Sequence, residues 1–187
     1  MATMLNTTRL TIRNFQAKDL DALHAMIVQY QTSAMAAYDQ PWPTSREALQ
    51  GVVAWFAGGD AYLAVHLKDT DQFIGFVALS PEPDENQRSF NIGYVFDAGF
   101  HCKGYATEAC RALLHHAFDT LQADSVVSGT AAVNAPSRRL LEKLGFKKTG
   151  EVTVSFRTGE DGNPIEFTGY DYILSKADWS NASCSPD

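Results

Sequence analysis

The chain has 187 residues, of which 45% are hydrophobic, 11% aromatic and 20% charged. This balance predicts one ordinary globular domain with enough apolar side chains for a sizeable core. The formal net charge of −7 argues against a general nucleic-acid-binding protein, which is usually basic, and is compatible with cationic substrates such as amines.

The cysteines and the hydropathy pattern restrict the compartment and the kind of site. Cys102, Cys110 and Cys184 are odd in number and lack C-x-x-C spacing, which argues against a disulfide framework and a structural zinc site. The chain contains no long apolar stretch, and its first residues lack the apolar segment of a signal peptide. We therefore expect a cytoplasmic protein with no bound metal and no membrane partner.

The first half of the chain predicts one strand, two helices and a meander of three strands. Alternating apolar residues indicate the strands, whereas apolar residues three and four positions apart indicate the helices. Pro41 and Pro43 separate the two helices, and Thr44 or Ser45 is the expected cap of the second. The predicted elements are a strand at 9–13, a helix at 19–30, a helix from 44 or 45 to 56, and strands at 61–68, 72–80 and 89–96.

The second half predicts a long helix at 106–121, a strand at 125–133, a short helix at 134–145 and a hairpin at 152–174. Asn134 is the expected N-cap of the short helix, and Gly145 is its stop signal. The long helix is amphipathic. Its apolar stripe consists of Ala106, Cys110, Leu113, Ala117 and Leu121. Its polar face consists of Glu108, Arg111, His115 and Asp119.

This order of elements predicts an α+β fold. Consecutive strands without intervening helices indicate antiparallel pairing, and the strand-helix-strand unit around residues 90–130 indicates one right-handed parallel crossover. No linker or internal repeat divides the chain. We therefore expect a single domain at 1–177, followed by a polar and flexible tail at 178–187.

The stretch FHCKGYATEA, at 100–109, connects the strand at 89–96 to the long helix. The first N–H groups of a helix lack intrahelical partners and carry the positive end of its dipole, so such a terminus can bind phosphate oxygens. Gly104 allows an anion to approach the backbone closely, and Lys103 adds a cation. The spacing fits neither the nucleotide P-loop nor the dinucleotide fingerprint. From the residues alone, an anion-binding turn and an ordinary strand-to-helix connection both remain open.

The same stretch resembles the pyrophosphate loop of the GNAT superfamily, the acetyl-CoA-dependent N-acetyltransferases. That loop has the pattern Q/R-x-x-G-x-G/A, and Gly104 and Ala106 match its last two positions. The letters GYATEA are typical of the branch that resembles ribosomal-protein N-terminal acetyltransferases. His101 stands where Gln or Arg is usual, and Cys102 stands where this branch often has glycine. These departures matter less if backbone N–H groups bind the phosphates.

Two further segments extend the resemblance. The segment NAPSRRLLEKLGF, at 134–146, is similar to the N-x-x-S-x-x-L-x-E-x-x-G-F segment of this branch, and LTIRNFQAKDLDAL matches its usual first strand and helix. The resemblance covers about 10–174. It implies the GNAT fold, a single mixed and mostly antiparallel sheet that is splayed between its fourth and fifth strands and flanked by helices.

The resemblance implies acetyl-CoA as cosubstrate, with its pantetheine arm along the fourth strand and its pyrophosphate at the loop. Taken without the resemblance, Tyr94 is equally compatible with a core aromatic, Asn134 with a simple N-cap and Ser137 with a solvated hydroxyl. The residues expected to bind acetyl-CoA are Tyr94, Val95, Phe96, His101, Cys102, Lys103, Gly104, Tyr105, Ala106, Thr107, Asn134 and Ser137.

The implied chemistry is direct attack of a neutral primary amine on the acetyl thioester, without a covalent enzyme intermediate. The enzyme holds both reactants, polarises the carbonyl with a backbone N–H of the fourth strand, and passes the ammonium proton to a base or a water chain. In related enzymes the hydroxyl at the position of Ser137 hydrogen-bonds the departing sulfur, so Ser137 is the expected catalytic residue. Cys102 and Cys110 are not needed as nucleophiles, and Cys110 lies on the apolar stripe.

The pattern does not identify the general base. Members of the family often carry carboxylates where this chain has Asn91 and Phe156, and neither of these side chains can act as a base. Asp39, Glu85 and His24 are candidates, although a residue of each of these kinds is more often a solvated surface residue.

The expected function is acetyl transfer from acetyl-CoA to a primary amine, first of all a protein N-terminal amine of the ribosomal type. A small amine such as a polyamine, amino sugar or antibiotic is one alternative, and a non-catalytic acyl-CoA-binding module is another. The acceptor surface is expected from residues 34–56 and the late hairpin. The chain is expected to act as a monomer or homodimer without direct contact to nucleic acid.

Overall fold

A computed structural model of the chain describes residues 3–83 and 87–183. The strands in these residues are β1 Met4–Asn6, β2 Leu10–Asn14, β3 Tyr62–Leu67, β4 Phe73–Pro81, β5 Ser89–Phe96, β6 Ser125–Ala131, β7 Lys147–Thr158 and β8 Pro164–Ser175. The α-helices are α1 Leu20–Gln31, α2 Arg46–Ala57, α3 Tyr105–His115, α4 Ala135–Lys143 and α5 Lys176–Ser183. Short 3-10 turns lie at Ala17–Asp19, Ala34–Tyr38 and Ala98–Phe100.

The strands form one mixed sheet in the order β1-β2-β3-β4-β5-β6-β8-β7. Strands β5 and β6 are parallel, as expected for a strand-helix-strand crossover, and the pairs β1–β2, β2–β3, β3–β4, β6–β8 and β7–β8 are antiparallel. The predicted α+β fold with a mixed, mostly antiparallel sheet is confirmed. Strand β1 has no predicted counterpart, because three residues are too short for a pattern. The fourth and fifth predicted strands are therefore β5 and β6.

The chain divides into two compact units, each assembled from separate segments. The first unit comprises Met1–Ala36, Pro41–Leu79 and Gly93–Leu113. Its core is rich in aromatic rings, and the ring centre of Phe15 lies 5.0 Å from that of Phe56 and 6.2 Å from that of Phe76. The buried cluster consists of Phe15, Leu20, Leu23, Met26, Ile27, Leu49, Val53, Phe56, Ala64 and Phe76. The apolar faces of α1 and α2 thus pack with residues of β3 and β4.

A buried ion pair fixes the start of α1 in the first unit. Nη1 and Nη2 of Arg13 donate to the two carboxylate oxygens of Asp19 at 2.8 and 2.9 Å, and their side chains are only 9% and 2% exposed. The backbone N–H of Gln16 also donates to Asp19, at 2.8 Å. Burial by itself would raise the pKa of Asp19, but the hydrogen bond from Arg13 and those from its other neighbours outweigh burial and lower it well below its usual range.

The second unit comprises Ala37–Gln40, Ser80–Ile92 and Leu114–Asp187. Helix α5 packs on it through Trp179, which is 7% exposed and stacks on Phe118 with ring centres 5.6 Å apart. The predicted domain boundary at residue 177 falls inside α5. The buried ring of Trp179 anchors this helix to the second unit. Residues 184–187, which include Cys184, lie outside the described residues.

The predicted helix at 106–121 has a different end in the structure. The α-helical geometry stops at His115, and a π-helical turn follows at His116–Thr120, where the N–H of Leu121 donates to the carbonyl of His116 at 3.0 Å. A π-turn contains more residues than an α-turn, so positions beyond it leave the 3.6-residue stripe. Phe118 is buried there, whereas Leu121, which the stripe assigns to the core, is 36% exposed.

Candidate active site

The loop between β5 and α3 adopts a left-handed backbone at two positions. The φ angles are +59° at Cys102 and +82° at Gly104, where a glycine is favoured because it has no Cβ. Cys102 holds this conformation although it is not a glycine, which costs on the order of 1–2 kcal/mol. The positive φ at Cys102 explains physically why glycine suits this position.

The side chains of His101 and Lys103 bind the backbone of their own segment. Nε2 of His101 donates to the carbonyl of Phe96 at 2.9 Å, since a carbonyl oxygen can only accept. Nζ of Lys103 donates to the carbonyl of Gly99 at 2.8 Å and lies 5.2 Å from the ring centre of Phe100. Both side chains therefore stabilise the turn, and the N–H groups at the start of α3 remain the main donors for an anion.

Two residues distant in sequence, Thr7 and Arg9, hold this loop through contacts with Lys103 and Glu108, and no local pattern in the sequence indicates these contacts. The guanidinium of Arg9 donates to the carbonyl of Lys103 at 3.0 Å and to Oε2 of Glu108 at 2.7 Å. The hydroxyl of Thr7 donates to Oε1 of Glu108 at 2.6 Å. Glu108 belongs to the predicted polar face of the long helix, but only 19% of its side chain is exposed. The one sequence signal for this role of Glu108 was its type and place, an acidic residue in the first turn of a helix.

The ionisation of Glu108 follows from these contacts. Burial by itself would raise the pKa of Glu108, but the hydrogen bonds from Thr7 and from the backbone and side chain of Arg9 outweigh burial and lower it. Glu108 is therefore a carboxylate at neutral pH, and Arg9 compensates its charge.

The end of β5 is held by β4 in the first unit. The backbone N–H of Asp97 donates to the carbonyl of Ile74 at 3.0 Å. A Cβ at Gly75 would lie 2.4 Å from the carbonyl oxygen of Val95, so this close approach requires glycine. The side chain of Val95 packs against the apolar cluster of the first unit. Tyr94 and Phe96 point to the opposite face of the strand, because side chains alternate.

In the second unit, Asn134 caps α4. Its Oδ1 accepts a hydrogen bond from the N–H of Ser137 at 3.2 Å, so the predicted N-cap is confirmed. Since the cap uses the amide oxygen, the NH₂ group of Asn134 is the part that can donate to another molecule. Ser137 lies in the first turn of α4 and is half-buried.

The parallel ladder between β5 and β6 is short within the described residues. It consists of the pairs Ser89–Ser125, Phe90–Val126 and Asn91–Val127, although β6 continues to Ala131. At the next position the hydroxyl of Ser128 donates to the carbonyl of Ile92 at 3.0 Å. A side chain thus takes over from the backbone where the ladder stops.

The remaining sequence-derived candidates are placed as follows. Burial raises the pKa of the Cys110 thiol far above its ordinary value, which excludes it as a thiolate nucleophile at neutral pH, whereas Cys102 is exposed. Nε2 of His24 lies 2.9 Å from the carbonyl oxygen of Thr44. Glu85 lies outside the described residues.

Two positions that often carry carboxylates in the family have structural partners instead. Asn91 belongs to the β5–β6 ladder, and Phe156 packs on Phe167 with ring centres 5.6 Å apart. The carbonyl of Asp39 accepts a hydrogen bond from Nε of Arg157 at 3.3 Å. In residues 3–83 and 87–183, no group of three or more His, Cys, Asp or Glu side chains is positioned to hold a metal ion.

The sheet order and the glycine loop before α3 are those of acetyl-transferring enzymes of the GNAT type. The profile of the acetyltransferase (GNAT) domain matches residues 9–147, and the chain belongs to this family. The predicted membership of the GNAT superfamily and the predicted enzyme class are therefore confirmed. Members of the family use acetyl-CoA as cosubstrate.

Relatives of similar length support the assignment. The uncharacterized N-acetyltransferase YnaD of Bacillus subtilis (strain 168) is 26% identical over 178 residues, which are 94% of this chain and 99% of that protein. A second protein of the same organism, named "Putative ribosomal N-acetyltransferase YdaF", is 29% identical over 178 residues, 91% of this chain and 93% of that protein.

A solved structure confirms the fold. The ribosomal-protein-S5-alanine acetyltransferase of Vibrio fischeri superposes with a TM-score of 0.77 over 95% of this chain and 98% of that one. Its sequence identity is 16%, so this likeness concerns the fold alone.

None of the helices in the described residues combines the length and the apolar character that crossing a membrane requires.

Proposed function

We propose that the chain transfers the acetyl group of acetyl-CoA to a protein N-terminal amine. One observation carries the donor side of this proposal: the turn from His101 to Gly104 has a left-handed backbone at two positions and leads directly into α3. Such a turn aims backbone N–H groups at one point, and the helix dipole adds positive potential there. The residues fit the pyrophosphate of acetyl-CoA.

When bound, acetyl-CoA supplies a reactive acetyl thioester. The N–H groups of 102–107 hold the phosphates, whereas the N–H of His101 donates to the carbonyl of Ala98 at 3.2 Å within the turn. The backbone of Tyr94, Val95 and Phe96 holds the pantetheine arm. The NH₂ group of Asn134 donates a hydrogen bond to acetyl-CoA. The hydroxyl of Ser137 donates a hydrogen bond to the departing sulfur. The chain's main contribution to the rate is to hold the neutral amine and the thioester together.

The choice of a protein N-terminus as acceptor rests on resemblance. The letters GYATEA at 104–109 and the segment at 134–146 resemble those of the ribosomal-protein branch. The name of YdaF, which aligns with 91% of this chain, points to the same class of acceptor. The acceptor surface is proposed at residues 34–56 and the β7–β8 hairpin.

The donor side is tested by isothermal titration of the protein with acetyl-CoA and with CoA. We expect binding at sub-millimolar concentration. Gly104→Glu should abolish it and leave the fold largely intact, because the new carboxylate would occupy the anion site. Absence of binding by the wild-type protein would contradict the proposed function. Undiminished binding by Gly104→Glu would exclude the loop as the site.

The acceptor side is tested with a panel of N-terminal peptides and small amines, with release of free CoA as the readout. The proposal expects turnover on peptides. Turnover on small amines only would contradict it in favour of a small-molecule acetyltransferase. Tight donor binding without turnover on any amine would instead indicate an acyl-CoA-binding module.

A further inference from the structure

Thr7, Arg9 and Glu108 form a cluster, here called the Arg9 brace, that joins the segment before β2 to the first turn of α3. Nε and Nη2 of Arg9 contact Oε2 of Glu108 at 2.7 and 2.6 Å, and the backbone N–H of Arg9 donates to Oε1 at 2.9 Å. The hydroxyl of Thr7 donates to Oε1 as well. The carboxylate of Glu108 is thus held by three groups from one short segment.

The same guanidinium also reaches the loop. Nη1 of Arg9 donates to the carbonyl of Lys103 at 3.0 Å, and a Cβ at Gly104 would lie 3.3 Å from Nη2. The guanidinium carbon lies 4.4 Å from the ring centre of Tyr105, a cation–π distance. Arg9 therefore contacts Lys103 and Tyr105 and lies beside Gly104 between them, and its hydrogen bond fixes the direction of the carbonyl of Lys103.

The brace also has an electrostatic consequence. Glu108 is a carboxylate one turn into α3, close to the helix end at which phosphates are expected to bind. An uncompensated negative charge there would repel a pyrophosphate. The positive charge of Arg9 compensates it and lies beside Gly104 itself.

We propose that Arg9 is a positioning residue for the phosphate-binding loop, where it fixes the carbonyl of Lys103 and neutralises Glu108. This inference rests on the proposed function, because it assumes that the loop binds acetyl-CoA. Arg9 then contributes to the affinity of the protein for acetyl-CoA and takes no part in proton transfer.

The test compares Arg9→Ala, Glu108→Gln and the double variant by isothermal titration with CoA, after thermal melting has shown which variants are folded at the working temperature. Arg9→Ala is expected to weaken CoA binding by about tenfold or more, since charge-assisted hydrogen bonds are lost and a like charge is uncovered. Adding Glu108→Gln to Arg9→Ala should restore part of the affinity, because the repelling charge is removed. Arg9→Lys keeps the charge and should fall between wild type and Arg9→Ala.

A purely structural role would not produce this pattern. Lys18→Ala is the matched control, since Lys18 forms an exposed ion pair with Asp71 at 2.8 Å in the same unit. Its CoA affinity should equal that of the wild type. In steady-state kinetics, Arg9→Ala should raise KM for acetyl-CoA and leave both kcat and KM for the amine unchanged.

The outcomes separate the inference from the function on which it rests. Wild-type protein that fails to bind CoA would overturn both. If wild type binds CoA, an undiminished affinity in folded Arg9→Ala would overturn the inference alone. An affinity of the double variant that is no better than that of Arg9→Ala would overturn the charge compensation.

Discussion

Gly75 is the position at which the structure makes its sharpest prediction. A Cβ at this position would lie 2.4 Å from the carbonyl oxygen of Val95, 2.8 Å from Cα of Phe96 and 2.9 Å from Cδ1 of the same residue. Two of these atoms belong to the backbone of β5, so no rotamer change can relieve the overlap. Because ordinary carbon–oxygen contacts begin at about 3.3 Å, β5 would have to move by about 1 Å.

The energetic cost of Gly75→Ala follows from this displacement. Overpacking costs about 1–3 kcal/mol, and the φ of +154° adds strain of about 1–3 kcal/mol for a residue with a Cβ. The lower entropy of alanine in the unfolded chain offsets about 0.5–1 kcal/mol. We expect a net loss of about 1–5 kcal/mol in the free energy of unfolding, or about 2–20 °C in Tm for a chain of this size.

The assay is thermal and urea denaturation, with Gly93→Ala as the control. Gly93 lies on β5, the strand next to that of Gly75, and a Cβ there would meet only Cβ of Ala78, at 3.7 Å, an ordinary contact. Its free energy of unfolding should stay within about 1 kcal/mol of the wild type. Folded Gly75→Ala should also bind CoA more weakly, because Val95 and Phe96 have moved. Equal Tm values for the two variants would refute the steric reasoning.

Two further predictions concern the buried ion pair and the loop. Asp19→Asn should lower the free energy of unfolding at pH 7 by about 3–5 kcal/mol, because the charge of Arg13 loses its buried partner. The folded-state pKa of Asp19 is lowered, so the stabilisation is present above the unfolded pKa near 4 and is lost as the pH falls. The difference from wild type in urea unfolding should therefore be smaller at pH 3 than at pH 7, and an equal difference would contradict the assignment. Cys102→Ala should keep full turnover and Cys102→Gly should fold at least as well, whereas Cys102→Val should cost about 1–2 kcal/mol at φ +59°. Loss of turnover in Cys102→Ala would point to thiol chemistry instead.

Local patterns predicted much of the fold, since the signals for helices, caps and hairpins lie within a few residues. The N-cap at Asn134 was read from its type and its place before a helix, and its side chain accepts the hydrogen bond expected of a cap. The strand alternation and the turn GEDGNP predicted the hairpin that the structure forms as β7 and β8.

Other features depended on neighbours that local patterns do not contain. Leu121 follows the helical stripe, but the π-turn at His116–Thr120 brings it to the surface. Trp179 lies near the start of the polar stretch at 178–187 that was expected to be a flexible tail, yet its ring stacks on Phe118. In both places tertiary packing overrides a weak local preference.

The sequence by itself determined the family and the order of the elements from β2 to β8, because short motifs with fixed spacing carry this information along the chain. Tertiary structure alone decided how the loop between β5 and α3 is held. Arg9 and Glu108 are 99 positions apart, and the sequence carries no local trace of their contact. Gly75 likewise looks like any glycine in a strand until the backbone of β5 is placed beside it. Long-range contacts of this kind arise only when the sheet brings distant strands together, so they become visible only in the folded chain.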